Sequence, residues 1–444
     1  LCEVQKYGEL ADKDRICTAG FVWVGVVLVE DLFMPLLVTS QDLQPGMRLA
    51  EAFRLNGRTM LPGGKVLNAD DIEILQRKYT EIIFKVGDPV LDSLVEFEDD
   101  TREREVATTV THQIQSTMTD VQQKFGQRTD MGGVDFSRIK NTVSSVVEFL
   151  HGNPVSAALI NRTASGLGYL PEHAGNVFYL SMVLGAAVRD YVVRERQRQT
   201  SASTLTQSVA TDLKPLGLGA MFLDIAMTQL PQIFDERYEL TDADRKFIRE
   251  HPKAGADLLP ETFPPVTKMI VRNHHENCDG TGYPDSLPGE RLHVFSRIVR
   301  ICDAFDAATS QKYFKAAKSP ARVLWEMAYG PYQNCYDPTL MRVFLSIIQP
   351  FPIGTLLTLE DGRGAVVTKY NRQSPFAPTV LVAFDPHGVK LSQEKLTEPV
   401  TIGEGNSLKL KSAWTEDLSF LQDKSPLPAQ RSTALNNLLE MAYP

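Results

Sequence analysis

The chain has 444 residues, 43 % apolar and 23 % charged, enough for about two to four globular domains with a sizeable core. Its net charge of −9 excludes a general basic field for DNA, so an anionic ligand has to be held by local positive charge or by a metal. The five cysteines (Cys2, Cys17, Cys278, Cys302, Cys335) are scattered, odd in number and without a CxxC pair, which argues against a disulfide framework and for a reducing, cytoplasmic setting.

The apolar runs Phe21–Val29 and Leu32–Val38 are interrupted by Glu30 and Asp31. Neither approaches the roughly 18 to 20 residues of a membrane span, and Leu1–Gly20 offers no clean leader or cleavage site. Residues 1–33 are read as a fragment edge or an upstream translation artefact, with Met34 as the alternative start. Residues 34–97 read as a small α+β module: a turn at Gln44-Pro45-Gly46-Met47, a hairpin signal at Asn56-Gly57, and a short helix through Ile72, Ile74 and Leu75 capped by Asn68 or Asp70. Ile82–Val86 is strand-like. Residues 101–133 are expected to be a connecting helix. Its thin stripe (Val106, Val110, Ile114, Met118, Val121) is spaced about one per turn, compatible with a homodimer seam.

From residue 134 to 350 the pattern is helical. Ile139, Val143, Val146, Val147 and Leu150 mark one helix, stopped by Gly152-Asn153-Pro154. A second is expected from about Pro171 to Arg194, with Val177, Leu180, Leu184, Val188 and Tyr191 on one face. His173 lies one turn before Val177 and points inward; a hydrogen-bonded core histidine and a metal ligand both stay open. Residues 196–212, rich in Ser, Thr and Gln, read as a loop. Asp224 is an acid among Leu218, Met221, Phe222 and Ile225, and a buried carboxylate needs a cation. Thr241–Asp244 opens another helix in capping-box fashion, carrying His251 before Pro252. Asp303 shares a face with Phe295 and Val299; Asp306 reads as a cap or as support for a neighbour. Lys312 and Lys315 flank Tyr313 and Phe314. Then the period changes to two. Residues 351–409 read as a small β module turning at Asp361-Gly362, and 410–444 as a tail with a short helix near Ser432–Met441.

Asn273–Pro284, NHHENCDGTGYP, is the most specific stretch. His274 and His275 follow an apolar helix-like segment, and imidazole is the commonest metal ligand. Asp279-Gly280-Thr281-Gly282 makes a tight turn in which both glycines permit positive φ, and Pro284 fixes its own.

This stretch resembles the HHExxDGxGYP signature of the HD-GYP family. His251–Leu259 resembles its HPxxGxxxL block, and Ser296–Ala317 the block with an Asp followed by FDA and a basic aromatic segment. The resemblance covers roughly residues 135–350. It implies an all-helical domain that binds divalent metal, iron or manganese, and hydrolyses cyclic di-GMP. It also implies substrate contacts from Tyr283, Lys312 and Lys315, and accessory modules on either side.

Gly217–Pro231 resembles the family segment built around His-Asp-Ile-Gly-Lys, with Leu223 at the histidine, Asp224 retained, and Met227 at the lysine. By that resemblance one metal would use His173, the lost position 223, Asp224 and Asp303. The other would use Asp224, His251, His274 and His275. Two metals about 3.5–4 Å apart activate water and clamp phosphoryl oxygens; leucine has no lone pair to take part. The expectation is a degenerate protein of cyclic di-GMP signalling with reduced metal occupancy and impaired hydrolysis, Asp224 being the remaining catalytic acid. A working phosphodiesterase and an interaction scaffold for other signalling proteins are the alternatives.

Overall fold

The computed structural model describes residues 36–50, 52–55, 58–79, 82–87, 116, 117, 119, 120, 123, 136–152, 169–199, 206–230, 240–310, 318–403, 405–414 and 416–422. The fold is mainly helical, with small antiparallel sheets toward both ends. The expected segment 1–33, almost all of the helix expected over 101–133, and the helix near 432–441 lie outside the described residues, as do Lys312 and Lys315.

The first module contains β1 (Leu36–Thr39), β2 (Arg48–Leu49), the hairpin of β3 (Phe53–Leu55) and β4 (Arg58–Leu61), helix α1 (Ala69–Lys78) and β5 (Ile83–Gly87). The main-chain N–H of Asp71 donates to Asn68 Oδ1 (2.8 Å) and Asp71 closes the capping box, as the sequence suggests. β1, β5 and β2 form one sheet in that order.

At the other end, β6 (Leu356–Leu359), β7 (Gly364–Lys369), β8 (Thr379–Phe384), β9 (Val400–Thr401), β10 (Leu410–Ala413) and β11 (Glu416–Asp417) form a six-stranded antiparallel sheet ordered β11-β10-β6-β7-β8-β9. β10 and β11 lie in what reads as tail: Leu410 and Ala413 are buried, and they are spaced too irregularly to advertise a strand. The two modules are not independent. Val366, Leu381, Ala383 and Phe384 pack into one core with Leu36, Phe53, Leu75 and Val86, and Leu37 N–H donates to Gly354 O (2.9 Å).

Between them lie α2 (Phe136–Gly152), α3 (Tyr169–Ala187), α4 (Arg189–Gln199), α5 (Gln207–Ala210), α6 (Lys214–Phe222), α7 (Asp242–Leu258), α8 (Pro265–Asn273), α9 (Val294–Thr309), α10 (Pro320–Ala328) and α11 (Pro338–Ile347). The helix expected over 171–194 is two helices, bent by 88° between Ala187 and Arg189. α3 is buried on every face from Leu170 to Gly185 apart from Glu172, so no single stripe defines it. α4 carries regular helix to Gln199, beyond the start of the expected loop. Its Arg196 guanidinium donates to the carbonyls of Val209 and Ala210 (2.6 and 3.0 Å), which holds α5. α3 packs on α6 and α9, and α8 on α6 and α7. Gly219 lets α6 and α8 approach: a Cβ there would stand 2.6 Å from Ile270 Cγ2. Among the described residues no single helix is long and apolar enough to cross a membrane.

α9 is locked by Arg297, which pairs with Glu195 of α4 and Asp337 at the N-cap of α11. Tyr191 OH also donates to Asp337 (2.7 Å). Arg297→Met leaves the buried Asp337 without its cation and Glu195 with Arg198 alone, and loss of one partner from a buried pair costs about 3–5 kcal/mol. A corresponding drop in unfolding free energy is expected in urea titrations.

Candidate metal centre

Five helical elements bring the sequence-predicted ligands together. His173 comes from α3, Asp224 from the turn just after α6, His251 from α7, His274 and His275 from the end of α8, and Asp303 from α9. None is more than 8 % exposed. Asp224 is not inside a helix: its φ of −102° and ψ of 19° take the chain out of α6 into a 3-10 turn over Ile225–Gln229, aiming the carboxylate at the histidines.

The hydrogen bonds fix which nitrogens are available. His251 Nδ1 lies 2.6 Å from Ile248 O, and His274 Nδ1 lies 2.7 Å from Val271 O. A carbonyl only accepts, so each Nδ1 carries the proton and each Nε2 turns a lone pair to the centre. These two Nε2 atoms are 3.1 Å apart. Asp224 Oδ1 lies 3.1 Å from the first and 3.8 Å from the second. His275 completes a set whose four donor atoms all lie within 4.8 Å of one another. Converging lone pairs and a carboxylate repel unless a cation is shared among them, and neutral imidazole with carboxylate suits a first-row divalent metal. The residues therefore fit a metal. Burial, and then the neighbouring His274, His251 and Arg300, hold His275 well below its ordinary pKa, in the neutral ligating form. Burial works to raise Asp224, but hydrogen bonds and charge from the facing His251 and His274 rings lower it further than burial raises it; once their Nε2 lone pairs turn to a cation, the cation takes over that part.

His173 and Asp303 form a second cluster beside the first. His173 Nε2 lies 3.1 Å from Asp303 Oδ1 and 3.6 Å from Asp224 Oδ2. Its Nδ1 lies 2.7 Å from Asp306 Oδ2, and Asn176 Nδ2 donates to the other Asp306 oxygen at 3.0 Å. Asp306 thus orients His173, in line with the supporting role expected for it. Burial disfavours the imidazolium, yet the bonds to Asp303 and Asp306 and the nearby Asp224 push His173 up to about 10.

The signature loop is held from beneath. Glu276, 1 % exposed, accepts the N–H of Asp285 (2.6 Å) and of Leu287 (3.0 Å). Asp279 Oδ1 accepts the N–H and hydroxyl of Thr281 (3.0 and 2.6 Å). Gly280 has φ +77°, whereas Gly282 is needed for space and not for positive φ: a Cβ there would fall 2.3 Å from Asn277 N. Glu276→Gln replaces one accepting oxygen by an amide that cannot accept. With hydrogen bonds to charged groups worth about 1.5–3 kcal/mol, a loss of this size and a lower Tm are expected by calorimetry.

A profile of the family described as "HD domain" matches residues 189–340. The chain is 32 % identical over 176 residues to the cyclic di-GMP phosphodiesterase PA4108 of Pseudomonas aeruginosa, covering 39 % of this chain and 42 % of that protein. It is 39 % identical over 110 residues to the cyclic di-GMP phosphodiesterase response regulator RpfG of Xanthomonas campestris, covering 24 % and 29 %. It is 25 % identical over 126 residues to 3'3'-cGAMP-specific phosphodiesterase 2 of Vibrio cholerae, covering 28 % and 24 %. Residues 189–340 thus carry an HD domain, in line with the resemblance of the chain to the HD-GYP pattern. The chain spans less than half the length of each of these relatives.

The two positions aligned with the histidine and lysine of the HD-GYP pattern are wholly enclosed. Leu223 is 0 % exposed in the main helical core. Met227 packs with Leu170 and Ile248, flanked by Tyr169, Leu230 and Phe247. A cleft lined by Leu170, Pro171, Ala174, Met221, Ile225 and Thr228 reaches Asp224 from this side. The Tyr283 ring, from which a substrate contact is expected, lies against His275 (centroids 4.8 Å apart), and its hydroxyl is shielded without a hydrogen-bond partner. Arg300 is the residue that sequence reading passes over. It lies one turn before Asp303, 5 % exposed, with Nε donating to Asn277 Oδ1 (3.0 Å) and Nη1 3.5 Å from Asp303 Oδ2. An arginine three residues ahead of an inward acid, on the same helix face, is the signal that could have flagged it.

Proposed function

We propose that the chain binds a divalent cation at Asp224, His251, His274 and His275 and takes a cyclic dinucleotide, cyclic di-GMP foremost, which it hydrolyses poorly or not at all. The observation that supports this is the asymmetry of the centre. Three imidazoles and one carboxylate converge in a single group, while position 223, where the HD-GYP pattern has its histidine, holds a leucine enclosed in the main hydrophobic core. A bound divalent ion would polarise a phosphoryl oxygen. The chain's own part is to hold Asp224 ionised, present the Nε2 atoms of His251 and His274 in one tautomer, and keep bulk water from the donors. The curated relatives act on cyclic di-GMP or on 3'3'-cGAMP by their names, which favours a cyclic dinucleotide as the ligand class.

The test is metal content and product formation on the purified full chain. One equivalent of manganese or iron is expected, with saturable cyclic di-GMP binding and product near background. Two equivalents with rapid release of linear dinucleotide or GMP would favour a working phosphodiesterase. Neither metal nor nucleotide would favour a scaffold. 3'3'-cGAMP serves as the competing ligand.

A further inference from the structure

We infer that Arg300 serves Asp303 as a fixed positive charge in the role a second cation would have, and so keeps the centre mononuclear. The inference rests on the reading above. Asp303, 2 % exposed, has both oxygens committed. Oδ1 faces His173 Nε2 at 3.1 Å; Oδ2 faces Arg300 Nη1 at 3.5 Å and His275 Nδ1 at 3.4 Å. A carboxylate this deeply buried needs a counter-charge, and the guanidinium supplies one that cannot be lost by deprotonation.

Arg300 is held in place. Its Nε–H is bound by Asn277 Oδ1, and its Cζ lies over the Tyr336 ring, 5.6 Å from the centroid. Asn277 is in turn tied through Nδ2 to Thr281 Oγ1 (3.0 Å), so the signature loop braces the guanidinium from behind. A divalent ion ligated by Asp303 would stand close to this charge in a medium of low polarity, where like charges repel strongly. Two donors of the other group turn away from it: His251 and His274 aim their Nε2 atoms at Asp224 Oδ1, which leaves that site usable. Arg300 is thus a positioning residue for the centre and not a ligand.

The experiment titrates the full chain with Mn²⁺ alone, by calorimetry and by electron paramagnetic resonance. The parent and Arg300→Lys, which keeps the charge, are expected to bind one equivalent with the signal of an isolated ion. Arg300→Met is expected to take up a second equivalent, at least about tenfold more tightly than any further ion binds the parent, with exchange coupling between the two. The double variant Arg300→Met/Asp303→Asn should return to one. A single equivalent in Arg300→Met overturns the inference and leaves the one-cation reading intact. Two coupled ions in the parent overturn both. No Mn²⁺ in any variant removes the one-cation reading itself, and the inference with it. If Arg300→Met does not fold, Arg300→Gln removes the same charge with a polar side chain and is read in the same way.

Discussion

Asp224→Asn is expected to lower Mn²⁺ affinity by about 10²–10³-fold. Asp224 is the single anion in the group of four donors. The other three are imidazoles, and two of them have their Nδ1 atoms already engaged by Ile248 O and Val271 O. An amide in its place leaves a divalent charge facing neutral donors only. It also turns either a poorer oxygen or an N–H toward His251. Removing one charge from a buried, paired set costs about 3–5 kcal/mol, and the lower part of that range, about 3–4 kcal/mol, corresponds to the stated loss in affinity. Calorimetric titration measures it. Glu261→Gln, at an exposed acid paired with Lys268, should leave the affinity unchanged. Comparable binding in Asp224→Asn would show that the ion is held elsewhere.

Leu223→His combined with Met227→Lys is expected to raise hydrolysis of cyclic di-GMP by about 10²-fold or more over the parent, the scale of a restored proton-transferring group. The gain should grow when Arg300→Met is added, because a histidine at 223 supplies a ligand and does not relieve the repulsion beside Asp303. Stability moves the other way. Met227 is wholly buried against Leu170 and Ile248, and a lysine introduced there without a partner costs about 2–4 kcal/mol. Product chromatography and urea unfolding on the same preparations separate the two effects. Hydrolysis at the parental level in a folded triple variant would mean that the hydrocarbon at 223 is not what limits the chemistry.

The helical domain and its histidines were legible because the marks are local. His274 and His275 adjoin a Gly-rich turn, Thr241 and Asp244 cap α7, and Gly152 ends α2. The expected ligands His173, Asp224, His251, His274, His275 and Asp303 do converge, though into a group of four and an adjoining pair. What could not be read is where the chain meets itself at a distance. α3 looks amphipathic over its expected stripe, but neighbours cover it on all sides, so its break before Arg189 leaves no trace in the apolar pattern. Tyr283 carries the same letters whether it faces ligand or packs on His275; only the fold decides. Arg300 is invisible for a related reason. Its partner Asp303 is close in sequence, but Asn277, which fixes its direction, comes from the loop after α8.

The union of β1 and β5 with β7 and β8 in one core has a consequence for how the protein could be taken apart. Removing one end module alone would uncover Val366, Leu381 and Phe384 in the one case or Leu36 and Val86 in the other. Neither end can be grafted onto another scaffold alone. A change at the first strand therefore bears directly on the packing of β7 and β8, without passing along the intervening backbone.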